Sequence, residues 1–369
     1  MTLLKPSLFL ATVLSGLTLL SACSPAPENK LLAETTRLSI VPGYRDFADA
    51  SHQLREASEH FCAQTTEQNA AYQTLRTTWQ NTATTWAAIQ PLQFGPLLVD
   101  NQAWKIQFWP DRKNLVARKV EALLKGDEPL DVARIEKASV VAQGLSALEY
   151  LLFDEKAGQI DRYKTSDGQR RCELLIATSA HLEGVAVHLH TAWQTDGGNY
   201  ADTFSQPGKN NRDFPESNVA IGTLLDSIVY GLELVKRDKL ERPLGLANNK
   251  PQIYLLEWWR SRYSLEAITA NLAALQRLYK ADSGYGLDDY LTQAKGEKAL
   301  ADKIERKFVE ALKLASEIKG DLFTSANNDD TLKKAAALSK AVTELEMLTK
   351  NELPAALGVT LSFNSSDGD

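Results

Sequence analysis

The sequence is poor in the side chains that most often bind transition metals or act as nucleophiles. Its 369 residues include three cysteines and five histidines. No two histidines stand four apart with a glutamate after the first, so the zincin signature is absent. A nucleophile elbow, a phosphate-binding loop and a dinucleotide fingerprint are absent too. His181 and His188, seven apart, fit one helical face but are too few for a closed zinc site. We therefore expect all five to be ordinary helix residues: His52, His60, His181, His188 and His190.

Positive charge is not in excess either. The sequence also has no alternating run of apolar and polar residues long enough to predict a strand. Lysine and arginine total 41 against 47 aspartates and glutamates, which gives a net charge of −6. This balance argues against nucleic acid as a partner, because nucleic-acid-binding proteins usually carry basic patches. With 44% hydrophobic and 24% charged residues, the composition is that of a globular protein of about two domains.

The N-terminus predicts export and lipid anchoring. Lys5 precedes an apolar run, residues 8–20, that is too short to span a bilayer as a helix. The run closes on Leu-Ser-Ala-Cys, which resembles a bacterial lipobox, so residues 1–22 are predicted to be a lipoprotein signal peptide and Cys23 the acylated residue. A simple cleaved signal peptide is the alternative. Ser24, rather than aspartate, favours the outer membrane of a Gram-negative envelope, facing the periplasm. Residues 23–30 are predicted to be a flexible tether.

The mature chain is predicted to be all-α. Apolar residues recur at helical spacing from Phe47 to Ile318, with the stripe Leu224, Leu225, Ile228, Leu232 and Val235 as a clear example. A stretch rich in glycine, asparagine, aspartate and proline, residues 195–217, is expected to interrupt every helix. We therefore predict an N-terminal helical bundle over 31–195, an irregular linker over 196–214 and a C-terminal bundle over 215–369.

Two cysteines remain after the lipobox, Cys62 and Cys172. Because the periplasm is oxidising, we expect them to form a disulfide. Two isolated buried thiols are the alternative. The bridge would join the first long helix to the last helix of the N-terminal bundle, and a bridged cysteine could not act as a nucleophile.

The block from Phe94 to Asn114 combines aromatic residues with both charges. Pro110 should end one helical segment, and Asp111 is placed to cap the next. Trp109, Asp111 and Arg112 could line a pocket there. The alternative is a buried corner in which tryptophan fills volume and Asp111 only caps.

The lipobox, the Phe-Trp-Pro-Asp stretch at 108–111 and Gly-Leu-Ser-Ala-Leu-Glu-Tyr-Leu-Leu-Phe at 144–153 together resemble the imelysin family of bacterial envelope proteins. The segment Trp259–Leu272 and the C-terminal Phe-Asn-Ser-Ser-Asp-Gly-Asp match as well. The resemblance covers nearly the whole mature chain. It implies an all-helical fold of two bundle-like domains with a site between them. It also implies a link to iron, because the family includes iron-regulated lipoproteins and an iron-binding component of ferrous-iron uptake beside a peptidase.

The family signature, Gly-x-His-x-x-Glu, aligns with Gly144 to Glu149, but Ser146 replaces the histidine. A hydroxyl is a poor ligand for transition metals. The hypothesis of a metal-dependent peptidase therefore lacks the histidine that would be its main metal ligand. Glu149 lies in an apolar helix and needs a partner, for which we name Arg112 because guanidinium suits partly buried carboxylates. The expected crevice consists of Ser146, Glu149, Trp109, Asp111 and Arg112. Restoring the histidine at Ser146 is expected to raise affinity for a divalent metal.

The sequence thus predicts a lipid-anchored periplasmic protein that binds a ligand in iron acquisition, without peptidase activity. The ligand could be iron, another divalent metal, haem or a related molecule. Its partners would be the membrane, through the lipid on Cys23, and membrane proteins of iron uptake. A metal-dependent peptidase with ligands from elsewhere is one alternative, and an accessory protein of a membrane transporter is another. A purely structural ion pair at Glu149 also remains open.

Overall fold

The computed structural model describes residue 2 and residues 26–64 and 66–361. Cys23 and all of the predicted signal peptide except residue 2 lie outside the described residues, as does the C-terminal stretch from residue 362. The described chain contains helices and no strands, so the all-α class is confirmed.

Sixteen α-helices follow one another in the described chain, several of them only a turn long. Their bounds are α1 Pro27–Thr35, α2 Val41–Ala63, α3 Gln68–Ile89, α4 Gln102–Ile106, α5 Leu115–Lys125, α6 Val132–Lys137, α7 Gly144–Phe153, α8 Gly168–Trp193, α9 Tyr200–Ser205, α10 Ser217–Glu233, α11 Arg242–Leu244, α12 Ser264–Tyr279, α13 Leu287–Asp289, α14 Lys298–Glu317, α15 Asp329–Met347 and α16 Leu353–Leu357. Four 3₁₀ segments add Gly95–Asn101, Val140–Ala142, Ile160–Lys164 and Ile253–Leu255.

Four further segments are π-helical, and three of them end just before a proline. Thr36–Ile40 precedes Pro42, Leu234–Glu241 precedes Pro243, and Leu348–Glu352 precedes Pro354. A proline inside an α-helix has no N–H to donate, and its ring clashes with the carbonyl one turn earlier. Widening that turn relieves the clash, so α1 and α2, α10 and α11, and α15 and α16 run on as nearly continuous helices. The fourth π segment is Tyr290–Lys295.

The long helices pack as two groups of four. In the first half, α2 packs against α3 and α8, and α7 packs against α3 and α8; in the second half, α10, α12, α14 and α15 pack together. The groups meet where α12 lies along α3, and buried residues of both belong to one continuous core. This grouping is that of helical bundles. The boundaries assigned to the two domains remain a prediction.

Two local expectations need correction. The stretch 195–217 was expected to hold no helix, but α9 forms within it because Phe204 is fully buried against Phe94 and Phe214. The last residues of the predicted tether are helical as well, since α1 begins at Pro27. Proline is favoured at the first helical position, where no N–H is needed.

The predicted disulfide is present between Cys62 at the end of α2 and Cys172 near the start of α8, 110 residues apart. It joins two helices that also pack along each other through the core of the first bundle. The two cysteines are therefore unavailable as metal ligands or nucleophiles.

One described segment, Ser217–Leu244, is long and apolar enough to cross a membrane, but 67% of its apolar window is buried inside the fold. Its side chains Leu224, Leu225, Ile228, Leu232 and Val235 are all fully buried. The segment is a core helix of the second bundle by these contacts.

Candidate functional site

The signature glycine fixes where α7 begins. Gly144 has φ +59°, and a Cβ there would lie 2.2 Å from the carbonyl oxygen of Ile106 and 2.3 Å from that of Lys105. A side chain is therefore excluded both by conformation and by the backbone at the end of α4. This close approach brings the segment after α4, beginning with Phe108, beside the first turn of α7.

Ser146 ties the two segments together. The backbone N–H of Phe108 donates to the Ser146 hydroxyl oxygen at 3.1 Å, and the hydroxyl donates to the carbonyl oxygen of Phe108 at 3.2 Å. The hydroxyl thus donates one hydrogen bond and accepts another, both with the backbone of Phe108. The Ser146 hydroxyl, which stands where the family has histidine, therefore already has hydrogen-bond partners within the protein.

Glu149 is buried, at 4% exposure, and faces the loop before α12 rather than Arg112. One of its oxygens accepts the backbone N–H of Ser261 at 3.0 Å and the Ser261 hydroxyl at 2.9 Å. Burial raises the pKa of the Glu149 carboxyl, while the positive charge of Arg260 and the donors of Ser261 act in the opposite direction. Because each donor comes from the other half of the chain, Glu149 is a contact between the two halves.

The prediction that Arg112 pairs with Glu149 is wrong. Arg112 is exposed at the surface, whereas Arg260 is 8% exposed and supplies the positive charge beside Glu149. Arg260 is held by Asp154 at 3.3 Å and by the side-chain oxygen of Asn114 at 2.6 Å, and its guanidinium lies 4.3 Å from the ring centroid of Trp259. Arg112 was named because guanidinium suits partly buried carboxylates. The chemistry was right, but the guanidinium that is buried beside Glu149 comes from Arg260 in the second half of the chain.

The other predicted residues, Trp109 and Asp111, do lie beside Ser146 and Glu149. Asp111 accepts the backbone N–H groups of Leu115 at 2.7 Å and Val116 at 2.9 Å, so it caps α5 as expected. The indole N–H of Trp109 donates to the carbonyl oxygen of Leu255 at 2.9 Å. All four residues line one cavity of about 20 Å³. That volume suits about one water molecule or small ion and excludes haem.

A second buried polar cluster lies between the halves, and the sequence analysis missed it. The Lys239 ammonium, 1% exposed, donates to the Glu257 carboxylate at 2.5 Å, to Asn271 at 2.6 Å and to Gln90 at 2.9 Å. The other Glu257 oxygen accepts from Gln107 at 2.9 Å and Gln90 at 3.1 Å. Burial lowers the pKa of Lys239, and the neighbouring Glu257 opposes this. The ammonium uses all three of its protons.

A larger cleft opens between the bundles where α2 and α3 of the first face α12 and the end of α14 of the second. Its volume is about 830 Å³. The walls contain many small or apolar side chains, and charged groups stand among its lining residues. The small or apolar side chains include Pro42, Gly43, Ala88, Ala270, Ala273 and Leu278. The charged side chains include Arg45, Asp46, Glu266, Arg277 and Asp282.

Among the described residues, no group of three or more histidine, cysteine, aspartate or glutamate side chains is arranged to hold a metal ion. His181 and His188 do share a face of α8 and line one cavity. The other three histidines lie elsewhere: His52 contacts Glu183, His60 contacts Gln64, and His190 contacts Gln194.

The comparisons with known proteins agree with this architecture. The imelysin family model (Peptidase M75) matches residues 40–349, and the chain belongs to this family. An imelysin-like protein from Psychrobacter arcticum 273-4 superposes with a TM-score of 0.73 at 23% identity, covering 91% of this chain and 97% of that one. A "putative iron-regulated protein A precursor" from Parabacteroides distasonis ATCC 8503 gives 0.71 at 15% identity, covering 90% and 97%. No curated protein matches the chain.

Proposed function

We propose that this imelysin-family protein is a lipid-anchored envelope protein that binds an iron-containing ligand of about haem size and does not cleave peptides. The observation that carries the proposal is the engagement of the signature residues. Ser146 is hydrogen-bonded to Phe108 and Glu149 to Ser261. Ser146 joins two segments of the first bundle, and Glu149 joins the two halves of the chain. In this proposal the signature residues stabilise the fold instead of binding a metal.

The inter-bundle cleft is the better place for the ligand. A bare transition-metal ion needs several side-chain donors on one site, which the described residues do not supply as a group. The cleft of about 830 Å³ falls within the size range of small-molecule sites. Its apolar walls suit a flat macrocycle, and Arg45 and Arg277 suit carboxylate groups such as propionates. The relation to iron is supported by the name of the Parabacteroides relative.

The test is a titration of the purified mature protein with haemin, followed by visible absorbance. Ala270→Trp should fill the cleft and weaken haemin binding at least tenfold. Ala201→Trp is the matched control, because Ala201 lines a separate groove of about 810 Å³ beside α1 and α9. Loss of binding in the control alone, or no haemin binding by the wild type, would overturn the proposed site. Chelator-sensitive cleavage of a peptide would overturn the non-enzymatic function.

Anchoring is tested separately, with intact cells. The sequence Leu-Ser-Ala-Cys at 20–23 supports acylation of Cys23. Cys23→Ala should release the protein from the membrane fraction or leave the precursor unprocessed. Unchanged fractionation and unchanged mass would contradict the lipid anchor and leave the ligand-binding proposal standing.

A further inference from the structure

Helix α1, which follows the predicted lipid anchor, is fixed to the second half of the chain along its whole length. Both leucines of α1 are fully buried. At its start, Glu28 accepts a hydrogen bond from the Tyr290 hydroxyl at 2.6 Å. Near its end, Glu34 accepts one from the backbone N–H of Tyr285 at 2.7 Å. The whole of α1 therefore belongs to the globular structure and adds nothing to the length of the tether.

The chain that can separate the fold from a membrane is consequently short. Three residues, Ser24 to Ala26, lie between Cys23 and the start of α1 at Pro27. Four steps of fully extended backbone cover at most about 14 Å. The start of α1 therefore cannot lie farther than this from an acylated Cys23, whose lipid chains would be inserted in the bilayer. The limit is about half the length of α14, whose 20 residues span about 30 Å.

Two other segments lie beside the start of α1. The Ser217 hydroxyl, in the first turn of α10, donates to the side-chain oxygen of Asn29 at 3.4 Å. The π segment Tyr290–Lys295 contacts Glu28 through the Tyr290 hydroxyl, and α14 begins three residues after this segment. We call the surface formed by the starts of α1 and α10 and by this π segment the anchor end. The end of α14 lies about 30 Å away from it.

The anchor end carries charges of both signs and one exposed apolar side chain. Lys30 and Lys295 are exposed, and Glu28 and Glu216 offset their charge. Because neither sign predominates among these four, attraction to anionic headgroups is weak, and the short tether has to supply the contact. Val219, in the first turn of α10, is 44% exposed. At a membrane surface, an apolar side chain in this position would meet the interfacial region of the bilayer.

We propose that the short tether holds the anchor end against the phospholipid headgroups of the membrane that carries the lipid. The inference rests on the acylation of Cys23 proposed above, and it adds an orientation to the anchor. The inter-bundle cleft is lined from Leu38, eleven residues after Pro27, to Ile318 just beyond the end of α14. In this orientation the cleft lies above the anchor end and stays open to water.

The test uses the full-length protein, acylated in bacterial cells and reconstituted into vesicles of phosphatidylethanolamine and phosphatidylglycerol that contain a nitroxide-labelled headgroup lipid. Val219→Cys places a thiol for a bimane fluorophore at the anchor end, and Lys319→Cys places one beyond the end of α14. Both positions are exposed. Since Cys62 and Cys172 are bridged, the dye reacts with the introduced thiol. Bimane on Val219→Cys should be quenched at least threefold more strongly than bimane on Lys319→Cys.

A variant with a longer tether separates the anchor from the orientation. Insertion of about 20 glycine and serine residues after Ser24 adds a flexible chain with an end-to-end length of about 25 Å. This variant should still float with the vesicles, and the quenching at Val219→Cys should fall towards that at Lys319→Cys. Equal quenching at both positions with the native tether, or unchanged quenching after the insertion, would overturn the orientation and leave the anchor standing. Failure of the native-tether protein to float would overturn the anchor and the orientation together.

Discussion

Replacing Lys239 by methionine should remove a large part of the stability of this protein. Lys239 and Glu257 are each 1% exposed, and the ammonium donates to Glu257, Gln90 and Asn271. Lys239→Met leaves the Glu257 carboxylate buried with only the amides of Gln90 and Gln107 as donors. Breaking a buried ion pair by removing one partner costs about 3–5 kcal/mol. That is a large fraction of a total stability of about 5–15 kcal/mol.

Much of this loss comes from the stranded charge and not from the lost attraction, so a second substitution should restore stability. In Lys239→Met/Glu257→Gln, the new amide keeps an oxygen for Gln90 and Gln107 and offers an N–H to Asn271. The double variant should lie within about 2 kcal/mol of the wild type. Lys298→Met, which removes an exposed ion pair with Asp302, is the control and should leave the unfolding midpoint unchanged.

The measurement is urea unfolding at pH 7 followed by far-UV circular dichroism, with the midpoint and slope fitted together. Since the cluster joins both halves, the single variant should lower one shared midpoint. Two separate transitions in the wild type would contradict the cooperative role of the cluster. A loss below about 1 kcal/mol for Lys239→Met, or a double variant no more stable than the single one, would refute the stranded-charge reasoning.

Three further predictions concern the first half of the chain. Reduction of the Cys62–Cys172 disulfide should cost about 4–5 kcal/mol on chain-entropy grounds, and alkylation before reduction should add no mass. Ser146→His should lower stability by about 1–3 kcal/mol. Contrary to the expectation from the sequence, it should not raise metal affinity, because the cavity of about 20 Å³ leaves no room for an imidazole; tight zinc binding would contradict this. Burial raises the pKa of Glu149 above its usual 4.5, so the folded protein holds this proton more firmly than the unfolded chain. The contribution of Glu149 to stability should therefore fall as pH rises from about 4.5 towards the folded-state pKa. Glu149→Gln, which keeps an acceptor for Ser261, should flatten that fall, and an unchanged pH profile of unfolding would contradict the assignment.

The helical class was predictable because the evidence for it is local. The stripe from Leu224 to Val235 is buried as its spacing predicts, since amphipathic periodicity directly reports the face that meets the core. The Cys62–Cys172 bridge was predictable because the periplasm is oxidising and two cysteines remain after the lipobox. Helix α9 was missed because its burial depends on aromatic residues that meet only in the folded chain, Phe94 and Phe214.

The candidate site was predictable in part. Four of the predicted residues do line one cavity: Trp109, Asp111, Ser146 and Glu149. They were predictable because the resemblance to the family had assigned their two segments to one site. The partner of Glu149 was not predictable, since Arg260 and Ser261 are more than 100 residues away in the chain. Lys239 did leave a signal. The buried stripe of α10 continues through Val235 in the π segment Leu234–Glu241. One more step of four residues reaches Lys239, a charge on the core side of a helix.

Three buried polar side chains make contacts that join the two halves of the chain. Glu149 binds Ser261, Arg260 binds Asp154, and Lys239 binds Gln90. Apolar packing alone would tolerate small shifts of one bundle along the other, whereas a buried hydrogen-bonded charge loses its partners when the bundles shift. The cleft between α3 and α12 is bounded by the same two halves. Its shape therefore depends on polar contacts that include the signature residue Glu149. If the cleft binds the proposed ligand, we expect Glu149→Gln to affect that binding although Glu149 does not line the cleft.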